Sequence, residues 1–200
     1  PDQPLHSIDL LDDLERRCVV EGFNATSVEY ARELTVLDLF SEQARLRPEA
    51  VAVVDGDRKL RYGDVDAASN RLARYLIGLG AGPERVVGIC LERSAELIVA
   101  LLAVFKTGGA YLPLDPDHPE ERLSFMLWDA GADLIVTSRV LEAGVPVLAG
   151  EGRHCVVLDE PGVAHQISVL RETAVMPAER LAPMSPDNLA YIIYTSGSTG

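Results

Sequence analysis

The sequence predicts an α/β fold, a mostly parallel sheet with flanking helices, and three observations lead there. From residue 35 onward, short β-like runs alternate with helical patterns of ten or more residues, the order that βαβ units require. One helical segment, Leu97 to Phe105, is apolar on every side, as a helix sandwiched in a core must be. Glycines and prolines fall at the joints between these runs.

Taken in order, residues 1–34 are polar and hold one short helical pattern, Leu10 to Val20. They read as a linker or packing arm. Val36, Leu37, Leu39, Phe40 and Ala44 then recur at helical spacing, with Thr35 as N-cap and Pro48 beyond the end. Val51 to Val54 is a short strand, and Asp55-Gly56-Asp57 is a turn. Asp64 to Leu79 is amphipathic, with Val65, Ala68, Leu72, Tyr75, Leu76 and Leu79 on one face. Gly80, Gly82 and Pro83 stop it. Val86 to Leu91 is a buried strand, and Ser94 caps the apolar helix, which Gly108-Gly109 closes. Tyr111 to Leu114 is a strand, and Pro119 opens a helix through Ala130. Leu134 to Thr137 and Cys155 to Leu158 are further strands, Gly162 to Asp187 is a connector, and Leu189 to Tyr194 is a last strand.

Composition narrows the function. A net charge of -13 repels phosphate backbones and anionic lipid, which argues against nucleic acid and membrane surfaces as partners. No apolar run reaches the ~20 residues of a membrane span. The N-terminus has no basic patch followed by an apolar stretch, so no signal peptide is expected. Cys18, Cys90 and Cys155 are far apart and odd in number, which reads as unpaired thiols in a reducing compartment. The four histidines lack paired metal-ligand spacing, so no metal site is expected. The chain starts on Pro1 and stops in a Thr/Ser/Gly loop, and both ends read as cuts through a longer polypeptide. A sheet cut there is expected to expose apolar surface and an open edge that invite aggregation.

The site-bearing feature is Tyr191-Ile192-Ile193-Tyr194 running into Thr195-Ser196-Gly197-Ser198-Thr199-Gly200. Glycines let backbone approach a ligand, consecutive N–H groups can form an anion-binding nest, and four hydroxyls add donors. A loop at the carboxyl end of a parallel strand is where α/β sheets bind ligands. The pattern favours a di- or triphosphate over a flexible Ser/Gly linker. It is no Walker loop, because Gly197 and Gly200 are three apart and no Lys-Ser/Thr follows. Gly78-Leu79-Gly80-Ala81-Gly82 is no dinucleotide fingerprint, because it follows a helix and precedes a strand. Asp115 and Asp117 read as turn formers before a helix rather than as a metal pair. Lys106 reads as interacting with the C-terminal end of its own helix, and Tyr111 as core or sheet packing.

The segment from Leu189 to Gly200 closely resembles the phosphate-loop motif of nonribosomal peptide synthetase adenylation domains. Leu60-Arg61-Tyr62-Gly63-Asp64-Val65 is similar to the first core motif of that family. Phe105-Lys106-Thr107-Gly108-Gly109-Ala110-Tyr111-Leu112-Pro113-Leu114-Asp115 is similar to the second, and the order and rough spacing agree. Arg61 departs from the usual Thr or Ser. It removes a capping hydroxyl, which should weaken that helix start by about 1 kcal/mol.

The resemblance implies the N-terminal part of the large subdomain of an adenylate-forming enzyme. Residues 1–34 would then follow a condensation domain, and residues 35–200 would open an adenylation domain cut inside its phosphate loop. It implies a cytoplasmic ligase of secondary metabolism that activates an amino acid with ATP and Mg2+ to aminoacyl-AMP. The acyl group would then load onto the phosphopantetheine thiol of a downstream peptidyl carrier domain. By the same resemblance Thr195, Ser196, Gly197, Ser198, Thr199 and Gly200 would hold the β- and γ-phosphates. The catalytic lysine, magnesium ligand and amino-acid pocket would lie downstream, so residues 1–200 alone are expected to be inactive. Two other readings stay open: an acyl-CoA or aryl-acid adenylate-forming ligase, and a non-catalytic scaffold that packs through residues 1–34.

Overall fold

Residues 11–29 and 33–195 are described by the structure, a computed structural model of the chain. The chain divides into two compact units between Glu33 and Leu34. The first carries helix α1 (Asp13–Arg17), which runs on into a π-helical turn, Cys18–Gly22. Asp12 caps α1 by accepting from the Leu14 and Glu15 N–H groups at 2.8 Å, and Glu15 closes the capping box. The helical path thus passes Val20, where the periodicity ends it. Leu10 lies outside the described residues.

The second unit opens with α2 (Val36–Leu46) at the predicted cap. Thr35 Oγ1 accepts from the Asp38 N–H at 3.2 Å, and Asp38 accepts in return from the Thr35 N–H at 2.8 Å. Strand β1 (Val51–Asp55) then pairs antiparallel with β2 (Arg58–Arg61) across a two-residue turn at Gly56-Asp57. The hydrophobic pattern does not show β2. Its residues Arg58, Lys59 and Arg61 are charged, although an Asp-Gly turn is a strong hairpin signal.

Helix α3 (Tyr62–Gly78) begins two residues before the expected Asp64. Gly63 explains the difference. Its N–H donates to the Pro48 carbonyl at 3.0 Å, and a Cβ there would stand 3.3 Å from that oxygen. The first turn of α3 therefore lies directly against the loop between α2 and β1. No hydroxyl caps this helix, as Arg61 leads one to expect, but Asp64 still accepts from the Arg61 N–H at 3.1 Å. The other end closes as a Schellman motif: Ala81 N–H donates to Leu76 O and Gly80 N–H to Ile77 O, both at 3.0 Å. The glycine stretch is a helix stop, as read from the sequence.

Strands β3 (Val86–Ile89), β4 (Ala110–Pro113), β5 (Leu134–Thr137) and β6 (His154–Val157) form one fully parallel sheet in the order β4-β3-β5-β6. Alternate residues face alternate layers. On one face Leu134 and Val136 join Leu76, Val87 and Val104 in a cluster with α3 and with α4 (Ala95–Thr107). On the other, Ile135 joins Leu112, Leu123 and Leu127, which α5 (Glu120–Asp129) supplies in part. Helix α4 lies between α3 and the sheet, which is why its sequence is apolar all round. Ser94 caps it, accepting from the Leu97 N–H at 3.3 Å.

Two short helices escape the periodicity, α6 (Arg139–Gly144) and α7 (Pro161–Ser168). Neither is long enough to repeat an apolar face convincingly, and α7 lies mostly within the expected connector, where a Glu160 cap starts it. The remainder of the connector is irregular apart from a 3-10 turn at Pro177–Glu179. It is held by Arg74 of α3, whose side chain is only 8% exposed. The guanidinium donates to the carbonyls of Arg171 and Thr173 at 2.7 Å and of Ala174 at 2.9 Å. It also grips both oxygens of Glu179, at 2.7 and 2.9 Å.

That grip holds the Glu179 carboxyl down to about 2, chiefly through the Arg74 hydrogen bonds and then the Met176 N–H. A carboxyl depressed on folding stabilises above its ordinary value of 4.5 and loses that contribution as pH falls toward about 2. The stability difference between the wild type and Glu179→Gln should therefore be full at pH 6 and shrink between pH 4.5 and 2. Urea midpoints measured across that range check it.

Helix α4 ends at Gly108, φ +85°, where a Cβ would come within 2.9 Å of Pro83 Cγ. Gly108→Ala therefore combines left-handed strain with a clash. It should cost about 1–3 kcal/mol in urea unfolding, against a surface Gly→Ala control that costs nothing.

Candidate functional site

The expected last strand, Leu189 to Tyr194, is a correction. It makes one parallel bridge, Tyr191 to Tyr111, on the outer edge of β4. Tyr111 N–H donates to Ala190 O at 3.1 Å, and Ile192 N–H donates to Tyr111 O at 3.0 Å. Tyr191 and Ile193 are each more than half exposed. No further strand among the described residues pairs the other side, so the segment has a single hydrogen-bonded edge and no regular ladder develops.

Side chains make up for the missing ladder. Tyr111 stands between Phe105 and Tyr191, with ring centroids 5.6 Å away on each side, so its sheet-packing role is as read. Tyr194 packs edge-on against Phe125 at 6.0 Å, and its hydroxyl donates to Asp129 Oδ2 at 2.5 Å. Burial, followed by the Asp129 carboxylate, pushes that hydroxyl up to about 12, so it stays protonated as a donor. The segment is thus tied to β4 at Tyr191 and to α5 at Tyr194. Sequence reasoning misses Asp129, because nothing periodic links residues 65 positions apart.

A parallel bridge gives the segment the direction of β4, and register carries Thr195 past Pro113, beyond the carboxyl end of that strand. Thr195 is exposed there. Ser196, Gly197, Ser198, Thr199 and Gly200 lie outside the described residues. The donor set of this loop, hydroxyls and glycine amides, suits the oxygens of a phosphate chain. Among the described residues, no three His, Cys, Asp or Glu side chains come together as a metal-binding group.

Lys106 is the second correction. It does not serve the end of its own helix. Its ammonium, on a residue 3% exposed, crosses to α3 and donates to Asp66 Oδ1, Ser69 Oγ and Asn70 Oδ1 at 2.7 Å and to Asp66 O at 3.0 Å. It also lies 5.7 Å from the Phe40 ring centre. Burial pushes its pKa down and the Asp66 carboxylate opposes that shift. The cation that meets the α4 C-terminus is Arg180, whose Nε donates to Lys106 O at 2.9 Å. Asp115 and Asp117 shape a turn as expected: Asp115 Oδ1 accepts from the Asp117 N–H at 3.0 Å. The three cysteines are unpaired, and burial raises Cys90 to about 11, which makes it a poor nucleophile. No helix among the described residues is long and apolar enough to cross a membrane.

Known proteins resemble this chain in sequence and in fold. The family described as AMP-binding enzyme matches residues 40–200. A dimodular nonribosomal peptide synthase of Bacillus subtilis is 40% identical across all 200 residues, which span 8% of its length. Bacitracin synthase 3 of Bacillus licheniformis is also 40% identical over the whole chain, which covers 3% of that relative. Among solved structures, the nonribosomal peptide synthetase FmoA3 in its AMPPNP-bound form superposes with a TM-score of 0.77 at 26% identity. The match covers 90% of this chain and 18% of that one. The N-terminal subdomain of Klebsiella oxytoca NpsA gives 0.68 at 28% identity, over 85% of this chain and 41% of that one. With the parallel sheet, the three motifs and these relatives in agreement, the chain belongs to the AMP-binding enzyme family, in its nonribosomal peptide synthetase adenylation branch.

Proposed function

We propose that the chain contributes the phosphate-gripping part of an amino-acid adenylation domain, and that Thr195, Ser196, Gly197, Ser198, Thr199 and Gly200 receive the outer phosphates of ATP. The observation that supports this reading is the parallel bridge to β4, which gives the chain leading to Thr195 the direction of that strand. In the reaction, an amino-acid carboxylate oxygen attacks the α-phosphorus of ATP, the α–β bridging P–O bond breaks, and pyrophosphate leaves. A phosphopantetheine thiol of a carrier domain then takes the acyl group and AMP departs. Magnesium would offset charge on the phosphates. The loop's hydroxyls and amides would donate to oxygens whose charge shifts during transfer, and positioning of that kind dominates phosphoryl chemistry.

On this reading residues 1–34 follow a condensation domain and residues 35–200 open the adenylation domain of a cytoplasmic synthetase. Pyrophosphate exchange with a panel of amino acids, in a polypeptide that carries the whole adenylation domain, tests it. Gly197→Val should lower kcat/KM for ATP by about 10²-fold and leave amino-acid binding intact. The chain of residues 1–200 alone should show no exchange. Unchanged ATP kinetics in Gly197→Val would refute the phosphate role.

A further inference from the structure

We infer that Glu84 is a positioning residue for the phosphate loop, acting from a strained turn on the segment that leads into it; the inference rests on the phosphate role proposed above. Arg85 N–H donates to Gly82 O at 3.0 Å and closes a turn with Pro83 second and Glu84 third. Glu84 has φ +60°, and among the described residues it is the one non-glycine with a positive φ. A proline followed by a positive φ marks a type II turn, and its third position favours glycine or asparagine. Glu84 is exposed, so packing does not account for its presence there.

Its carboxylate does. Oε1 accepts from Asn188 Nδ2 at 2.7 Å and from the Leu189 N–H at 3.3 Å, across more than a hundred residues of sequence. Asn188 is itself fixed: its N–H donates to Ser185 O at 3.0 Å, and its Oδ1 accepts from the Ser185 N–H at 2.6 Å. The next residue but one, Ala190, begins the bonding to β4. Glu84 is therefore the last cross-link before the chain joins the sheet edge. Its turn is seated firmly, because Arg85 O accepts from the Ala110 N–H at 2.9 Å and Pro83 packs on Gly108. A slip of one residue here would turn Tyr191 and Tyr194 away from their partners and displace Thr195 with them. Strain held at one point and compensated by a specific contact is the pattern of a functional constraint.

Two variants separate this role from that of an ordinary turn. Glu84→Asn keeps a residue that tolerates a positive φ but is too short to reach Asn188. Glu84→Gln keeps both the reach and an acceptor oxygen. In Glu84→Asn, hydrogen exchange on the 200-residue chain should quicken about tenfold at the Ile192 and Tyr111 amides, while amides in β5 stay unchanged. In the full adenylation polypeptide the same variant should raise KM for ATP about three- to tenfold, without moving KM for the amino acid. Glu84→Gln should restore both readouts. Unchanged exchange at Ile192, or quicker exchange with an unchanged KM for ATP, would overturn the inference, as would a Gln variant that behaves like Asn. An inactive wild type would sink the phosphate role and this inference together; an active wild type with an unaltered Asn variant would sink the inference alone.

Discussion

Arg74→Ala should lose about 3–5 kcal/mol of unfolding free energy, because removing one member of a buried, hydrogen-bonded ion pair leaves its partners uncompensated. The guanidinium joins α3 to residues 171–179 through five contacts of 2.7–2.9 Å, and three of them satisfy backbone carbonyls that no helix or strand serves. Asn70 adds a parallel tie, donating from Nδ2 to Glu172 O at 2.8 Å, and Arg71 pairs with the Glu172 side chain. Arg74→Lys keeps the charge but not the planar fork, so it should recover less than half of the loss. Urea unfolding of the 200-residue chain reads both variants. Arg74→Ala should also make the 169–180 segment cleavable by protease at urea concentrations where the wild-type segment resists. A shift below about 1 kcal/mol would show that the connector holds itself in place without Arg74.

The second large effect is expected at Lys106. Lys106→Met fills a similar volume but leaves the Asp66 carboxylate, Ser69 and Asn70 without their shared donor. The expected cost is again about 3–5 kcal/mol. Much of that cost is the stranded carboxylate, so Lys106→Met combined with Asp66→Asn should be clearly more stable than Lys106→Met alone. The coupling energy from the double-mutant cycle should exceed about 1 kcal/mol. Additive losses would place the role of Lys106 in packing against Phe40 rather than in its charge. Because Lys106 joins α4 to α3 at the end where Arg180 also meets α4, the loss should be global, with a single unfolding transition.

These two cations show where reading from sequence stops. Lys106 sits near the end of a helix, and a local rule assigns it to the nearest dipole. The structure buries it instead, because α3 and α4 pack closely enough for Asp66, Ser69 and Asn70 to surround it. Arg74 stands on the polar side of an amphipathic pattern, with nothing local to mark it as a hub. Its partners are about a hundred positions away, and no periodicity spans that distance. Leu189 to Tyr194 fails differently: an apolar run signals burial but not which side receives a strand, and among the described residues only β4 pairs with this one. Strand β2 is hidden by its charges, and α6 and α7 by their brevity.

The alternation of strand and helix, the all-apolar α4, the glycine stops and the hydroxyl-and-glycine composition of residues 195–200 were determined by the sequence alone. Each depends on interactions within a few residues or on a repeating period, and those are written locally. Tertiary structure alone decided the strand order β4-β3-β5-β6, the burial of Lys106, the hold of Arg74 on the connector and the reach of Glu84 to Asn188. Those depend on which distant groups the packed layers bring within hydrogen-bonding distance, and burial raises the cost of leaving any such group unpaired.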